Sequence, residues 1–288
     1  MKKKIIFLQG VLSPYRVNFF NELSKIYKTI VISNTKIKEH KFLFQHKSFN
    51  QLNILNLKYF IGLINFINEE NPEIIIIPDH LEYISFFLSR VFTRRKNKIQ
   101  WIWYGVDIKP SRFLFDLKYV FRYLFFKIFL EFTNDKFTFY APNTKSVFEG
   151  IFKKHNRTFL VRNTISIKNS EYFENPDRKN FINIGSLKKR KKNNLLIDAF
   201  NRCLSKIPED VKLIFVGDGQ DKEFLQTKVS KLGLNSRIKF YPGTYSDEKI
   251  RKYYENAIAS ISYGQAGLTI LQSFGHGVCY ITQRDAIS

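Results

Sequence analysis

Between residues 181 and 282 short apolar runs alternate with amphipathic stretches, and a glycine turn follows almost every run. FINI (181–184) leads into Gly185 and a basic loop, Ser186 to Lys192. Leu195, Leu196, Ala199, Phe200, Cys203, Leu204 and Ile207 then recur at helical spacing, which predicts one apolar helix face. VKLIFV (211–216) runs into Gly217-Asp218-Gly219, a polar helix ends near Gly233, and RIKFY (237–241) meets Pro242-Gly243. Ser246 is placed to cap the next helix, with Asp247 and Glu248 in its first turn. IASIS (258–262) enters a loop from Tyr263 to Gly267, a helix from about Leu268 to His276 stops at Gly277, and VCYIT (278–282) follows. Short apolar strands alternating with helices predict an α/β fold with a parallel sheet covered on both faces. Such sheets bind ligands outside the carboxyl ends of their strands, where these glycine turns lie.

The N-terminal half repeats the alternation less cleanly. KIIFL (4–8), TIVIS (29–33), EIIIIP (73–78), QWIWY (100–104), KFTFYA (136–141) and RTFLV (157–161) read as strands. Helices are expected over about 15–26, burying Val17, Phe20, Leu23 and Ile26, and over 59–70 and 81–92, with residues 34–58 irregular. The polar stretch 168–180 carries Pro176 and reads as a linker, giving domains over 1–167 and 181–288.

Composition changes the picture in three ways. At 288 residues and 44% hydrophobic content the chain is long enough for two domains with buried cores. Cys203 and Cys279 fall in apolar patterns far apart, which reads as two buried thiols, and the five histidines form no metal-ligand spacing. The net charge of +22 points to an anionic partner: nucleic acid, a membrane surface or phosphate-bearing substrates. No nucleic-acid motif is present, and the aromatics fall in strand and helix patterns rather than on a stacking platform, so no nucleic acid is expected. No apolar run reaches the roughly 20 residues of a spanning helix, and residues 5–8 read as a strand rather than a signal peptide.

IGSLKKRKKNNLLIDAF, FVGDG and GQAGLTILQSFGHG, in that order and spacing, resemble the donor-nucleotide half of the retaining glycosyltransferases of the GT-B fold, glycosyltransferase family 4. The resemblance implies two Rossmann-like domains facing a cleft, and transfer of a sugar from a UDP- or GDP-linked donor to a glycan or lipid-linked acceptor. It implies surface-polysaccharide assembly at the inner face of the cytoplasmic membrane, with the nucleotide sugar as substrate and no cofactor or metal. Gly185, Ser186 and Lys191 match the diphosphate loop, with Ser186 where relatives have an arginine and Arg190 able to substitute for it. Gly217 and Gly219 match the turn beside the base. Gly264 and Gln272 stand where relatives carry two glutamates, one facing the donor sugar and one the ribose. Gln272 keeps hydrogen-bonding capacity, Gly264 offers backbone only, and Gln265, Ala266, Gly267 and Leu268 can present backbone N–H groups to the diphosphate. The catalytic candidates are therefore Lys191, Arg190, Gly264 and His80, the last at the end of the IIIIP strand. On the acceptor side GVLSPYRVNFFNEL implies Tyr15 and Arg16, and Tyr104 stands where a histidine is found in relatives.

Residues 109–132 interleave Lys109, Arg112, Lys118, Arg122 and Lys127 with phenylalanine, leucine and tyrosine, the pattern of a helix lying in an anionic membrane interface. Relatives continue past VCYIT, so the resemblance also implies that the second domain is incomplete, from a truncated gene or from a split one whose partner chain supplies the rest. Two other functions fit the same pattern: a non-catalytic nucleotide- or membrane-binding relative, and a sugar-nucleotide epimerase on the same scaffold.

Overall fold

A computed structural model describes residues 2–35, 41–54, 56–80, 82–94, 96–106, 117–167, 175 and 177–283. The chain divides into two compact units, Met1–Asn163 and Thr164–Ser288.

The first unit holds β1 (Lys4–Leu8), α1 (Val17–Ile26), β2 (Lys28–Ile32), β3 (Gln45–Lys47), β4 (Gln51–Ile54), β5 (Leu57–Phe60), α2 (Leu63–Glu70) and β6 (Ile74–Pro78). It continues through α3 (Ile84–Phe92), β7 (Gln100–Tyr104), α4 (Leu117–Phe132), β8 (Lys136–Phe139), α5 (Pro142–Phe152) and β9 (Thr158–Leu160). Seven strands pair in the order β3-β2-β1-β6-β7-β8-β9, every pairing parallel. Period-2 alternation splits each strand between two cores. Ile6, Leu8, Ile30, Ile32, Ile75 and Ile77 join Trp101, Trp103, Phe126, Phe137 and Phe148 on one face. Ile5, Phe7 and Val31 pack on Val17 and Phe20 of α1 on the other. Burial on both faces is why these strands are unbroken apolar runs.

A buried ion pair closes one end of this sheet. Arg90 of α3 donates to Asp135 at 2.8 Å from one guanidinium nitrogen and 2.9 Å from Nε, and Trp103 Nε1 donates to the same carboxylate at 2.9 Å.

The second unit holds β10 (Asn180–Ile184), α6 (Asn193–Arg202), β11 (Leu213–Val216), α7 (Lys222–Lys231), β12 (Ile238–Tyr241), α8 (Asp247–Glu255), β13 (Ala257–Ser262), α9 (Thr269–Gly275) and β14 (Cys279–Thr282). Its parallel sheet runs β12-β11-β10-β13-β14. Leu196, Ile197 and Phe200 of α6 pack with Leu213, Phe215, Leu225 and Val229, while Ile250 and Tyr254 of α8 pack with Ile182 on the opposite side. Ser246 caps α8, its hydroxyl accepting from Lys249 N–H at 3.4 Å.

Several expectations are corrected. The stretch 34–58 is not irregular throughout: β3 joins the main sheet and β4 pairs with β5 in an antiparallel hairpin. Tyr59 is therefore in a strand, and α2 starts only at Leu63, after Gly62 turns the chain at φ 80°. The helix expected from Tyr15 begins as a 3₁₀ turn over Pro14–Arg16, and Ile26 is exposed at the end of α1. The helix α6 stops at Arg202, about a turn short of the expected stripe, so Cys203 is exposed; Cys279, on the mostly exposed β14, is exposed too. Leu195 also faces outward and Ile197 takes its place in the core. Of the basic aromatic stretch, Lys109 and Arg112 lie outside the described residues, as do the side chains of Lys118 and Arg122. Residues 168–174 of the proposed linker lie outside them as well.

Candidate functional site

An open parallel sheet leaves a crevice at the carboxyl ends of its strands where the strand order reverses direction. In the second unit that reversal lies between β10 and β13. The loop after β10 holds Gly185, Ser186 and the basic run, and the loop after β13 holds Gly264 to Leu268. The two are clasped backbone to backbone: Gly264 N–H donates to the Lys191 carbonyl at 3.1 Å, and Gln265 N–H to the Arg190 carbonyl at 3.3 Å. Only glycine fits at 264, because a Cβ there would stand 2.5 Å from the Arg190 carbonyl oxygen and 2.7 Å from that of Lys191. The turn after β11 closes the group the same way, a Cβ on Gly217 or Gly219 running into the carbonyl oxygens of Gly185 and Leu187. Asp218 extends the assembly by accepting from Gly243 N–H at 2.6 Å and pairing with Lys222.

Lys191 sits inside this clasp. Its ammonium donates to the carbonyls of Gln265 at 2.5 Å and Ala266 at 3.1 Å. Burial, and then the neighbouring positive charge of Arg190, pull its pKa down to about 8. Arg190 is exposed, Ser186 half-buried, and Gln272 half-exposed on α9 without a side-chain hydrogen bond among the described residues. The structure therefore gathers Gly185, Ser186, Arg190, Lys191, Gly217, Gly219 and 264–268 at one sheet edge. It also alters one expectation: the Gln265 N–H is already spent on Arg190 and is not open to a ligand. The strand ends were readable from the glycine turns; the reversal and the clasp were not, because both depend on strand order.

In the first unit the strand order reverses between β1 and β6. Gln9 follows β1, Tyr104 ends β7, Tyr140 follows β8, and Arg16 reaches in from the turn before α1. The Arg16 guanidinium donates to Gln9 Oε1 at 3.3 Å, to Tyr140 at 3.4 Å and from Nε to Tyr15 at 3.4 Å. Gln9 Nε2 donates to the Tyr104 hydroxyl at 2.6 Å. Burial opposes the Arg16 charge, yet the phenols of Tyr104, Tyr15 and Tyr140 outweigh it and hold the pKa above its ordinary value. Burial pushes the Tyr104 phenol up, against the lowering effect of Arg16. Gly10 permits the loop to pass Tyr83, whose ring would lie 1.9 Å from an added Cβ. Tyr15, Arg16 and Tyr104 thus come together, joined by Gln9 and Tyr140, which sequence reasoning did not single out. Their shared signal is position, each just past the carboxyl end of a strand. His80 is exposed, with no side-chain hydrogen bond to this group among the described residues.

No group of three or more histidine, cysteine or acidic residues with metal-binding geometry occurs among the described residues.

Comparison with known proteins bears on both units. Residues 165–285 match the family described as Glycosyl transferases group 1. An uncharacterized glycosyltransferase of Methanocaldococcus jannaschii, MJ1059, is 28% identical over 229 residues, covering 70% of this chain and 53% of that protein. The chain thus spans about half the length of the curated relative it matches. Among solved structures, Anabaena Alr3699/HepE in complex with UDP and glucose superposes with a TM-score of 0.69 at 15% identity, covering 99% of this chain and 81% of that one. WaaG, a glycosyltransferase involved in lipopolysaccharide biosynthesis, does so with a TM-score of 0.67 at 14% identity, over 98% and 81%. The fold is that of these GT-B glycosyltransferases, an α/β architecture of parallel sheets.

Proposed function

We propose that the chain is a glycosyltransferase that moves a sugar, with retention, from a UDP-linked donor to a glycan or lipid-linked acceptor in surface-polysaccharide assembly. The observation that carries the reading is the clasp at the β10–β13 reversal: three turns converge there, with a partly desolvated lysine between them. The HepE complex with UDP and glucose favours UDP over the GDP alternative. In this reading the donor diphosphate lies against Lys191 and Arg190, the Gly217–Gly219 turn borders the base, and Gln272 serves the ribose hydroxyls. As the bond between the sugar C1 and the diphosphate oxygen breaks, negative charge grows on the leaving group. A fixed cation in a water-poor site stabilises that charge best. Arg16, Tyr15 and Tyr104 are assigned to the acceptor, and His80 receives no role.

The reading places the protein peripherally at the inner face of the cytoplasmic membrane. Leu124, Ile128 and Phe132 support it, an exposed apolar row at i, i+4 and i+8 on α4 beside the exposed Lys127. No helix of the described residues is long and apolar enough to cross a membrane.

The test is UDP-glucose binding by Lys191→Ala against Lys188→Ala, an exposed lysine of the same run. A larger loss in the first is expected, and equal titrations would reduce the run to a solvated surface. Turnover with membrane extract as acceptor, with the product's anomeric configuration read by NMR, tests transfer and retention. Gly264, where backbone fills the space of a side chain, favours one competitor, a relative that binds nucleotide without transfer. Tight UDP-glucose binding with no turnover would support that competitor.

A further inference from the structure

The Arg16 cluster in the first unit differs in its surroundings from the other buried or half-buried arginines described, which meet a carboxylate or a backbone carbonyl. Arg90 meets the Asp135 carboxylate and Arg251 meets Glu255. Arg157 and Arg237 donate to backbone carbonyls at about 2.9 Å. Arg16 is half-buried, yet its hydrogen-bond partners among the described residues are two phenols and one amide, all neutral near pH 7, at 3.3 to 3.4 Å, and the Tyr104 ring lies 5.8 Å from the guanidinium. Those contacts are long for a guanidinium, whose charge-assisted bonds usually run about 2.7–2.9 Å. They orient the group without neutralising it.

The proton inventory is equally one-sided. The hydroxyls of Tyr15 and Tyr140 accept from Arg16, and that of Tyr104 accepts from Gln9. Each phenol therefore keeps its own O–H to donate, and no described contact uses any of the three. The Gln9 amide is fixed in one sense, its oxygen toward Arg16 and its nitrogen toward Tyr104, so it cannot rotate to supply an acceptor there. No described hydrogen bond or ion pair joins Arg16 to a carboxylate, and a cation and three O–H groups come together near a strand-order reversal. That is the complement of an oxyanion with several lone pairs.

We infer that this cluster is a receptor for a carboxylate or phosphate borne by the acceptor, an inference that rests on the acceptor-side reading above. The group is carried either by an acidic sugar or by a lipid-linked phosphate, and Arg16 selects for its charge.

The test uses the full chain and compares matched soluble probes by equilibrium binding: methyl glucuronide and glucose 6-phosphate against methyl glucoside, and farnesyl phosphate against farnesol. The unmodified chain should prefer at least one charged probe over its neutral counterpart by about tenfold or more. In Arg16→Gln that preference should fall close to one, and in Arg16→Lys much of it should return, with added salt weakening it in both cation-bearing forms. A glucuronide preference identifies a sugar carboxylate, a glucose 6-phosphate preference a sugar phosphate, and a farnesyl phosphate preference a lipid-linked phosphate. UDP titrated into each variant should bind unchanged, which reports an intact fold. No charged-over-neutral preference in the unmodified chain, or an equal preference in Arg16→Gln, would overturn the inference. An Arg16-dependent preference in a chain that transfers no sugar would instead sink the transferase reading and leave the receptor standing.

Discussion

Donor affinity should fall steeply with rising pH, and Lys191 sets the slope. Only the ammonium form can neutralise a diphosphate, and in the unliganded clasp its pKa lies at about 8. Two phosphate oxygens beside it would restore the charged form, so binding draws on the charged fraction of the free protein. Taking that fraction as the competent one, it drops from roughly 0.9 at about pH 7 to roughly 0.1 at about pH 9, an affinity loss of about tenfold. UDP-glucose is a suitable probe because its phosphates stay ionised across this range. Isothermal titration in two buffers of different ionisation enthalpy should also show roughly half a proton taken up per binding event near pH 8. Lys191→Met should bind more weakly and lose the slope. The stability of the unliganded fold moves the other way. A lysine whose folded pKa is lowered binds fewer protons than the unfolded chain between about 8 and its ordinary value, so stability rises with pH through that window. An affinity unchanged between pH 7 and 9, or a slope that survives in Lys191→Met, would refute the assignment.

Restoring an acidic residue by Gly264→Glu should not raise turnover. The new Cβ meets two backbone carbonyls, so a stability loss of about 1–3 kcal/mol or more is expected in urea melts, and an unchanged midpoint would show that the clasp yields. Asp135→Ala should cost about 3–5 kcal/mol by leaving Arg90 buried without its carboxylate, whereas Arg90→Met with Asp135→Leu should recover much of that loss; chemical denaturation of the three variants decides it. Replacing Leu124, Ile128 and Phe132 with serine should abolish co-sedimentation with anionic liposomes while leaving UDP-glucose affinity unchanged; equal vesicle binding would remove α4 as the contact.

Much of this was legible in the sequence because both faces of each sheet are covered. IIIIP, QWIWY and FINI announce buried parallel strands, and the glycine turns mark the ends where ligands sit. Local polar segments were less legible. QHK and QLNI look like loop because β3 is an edge strand and β4 belongs to a small exposed hairpin, so neither needs apolar residues. The stripe through Ile207 failed because spacing cannot tell where a helix stops, and α6 gives way to a 3₁₀ turn at Leu204–Lys206. At the candidate site, Lys191 was legible as a diphosphate-loop candidate from its place in the loop, whereas the reason for Gly264 was not. It depends on a carbonyl 74 residues earlier in the chain, at Arg190. Gln9 and Tyr140 were missed for the same cause, since strands far apart in sequence bring them to Arg16.

The strand orders also permit a simple order of assembly. In chain order β2 can pair with β1 and β3 with β2; β6 can then take the open side of β1, with β7, β8 and β9 following outward. The second sheet repeats this, β11 and β12 growing one way from β10 before β13 and β14 grow the other. No strand has to be threaded between two already paired, so each sheet can extend during synthesis by accretion at an exposed margin. In both sheets growth changes direction once, when a late strand docks beside the founding one. That docking brings the Gly264 loop onto the basic loop in the second unit, and β6 alongside β1 in the first. The turns of the candidate site would thus be completed by the same step that reverses growth, and a nascent sheet stalled before it would hold its early strands without the clasp.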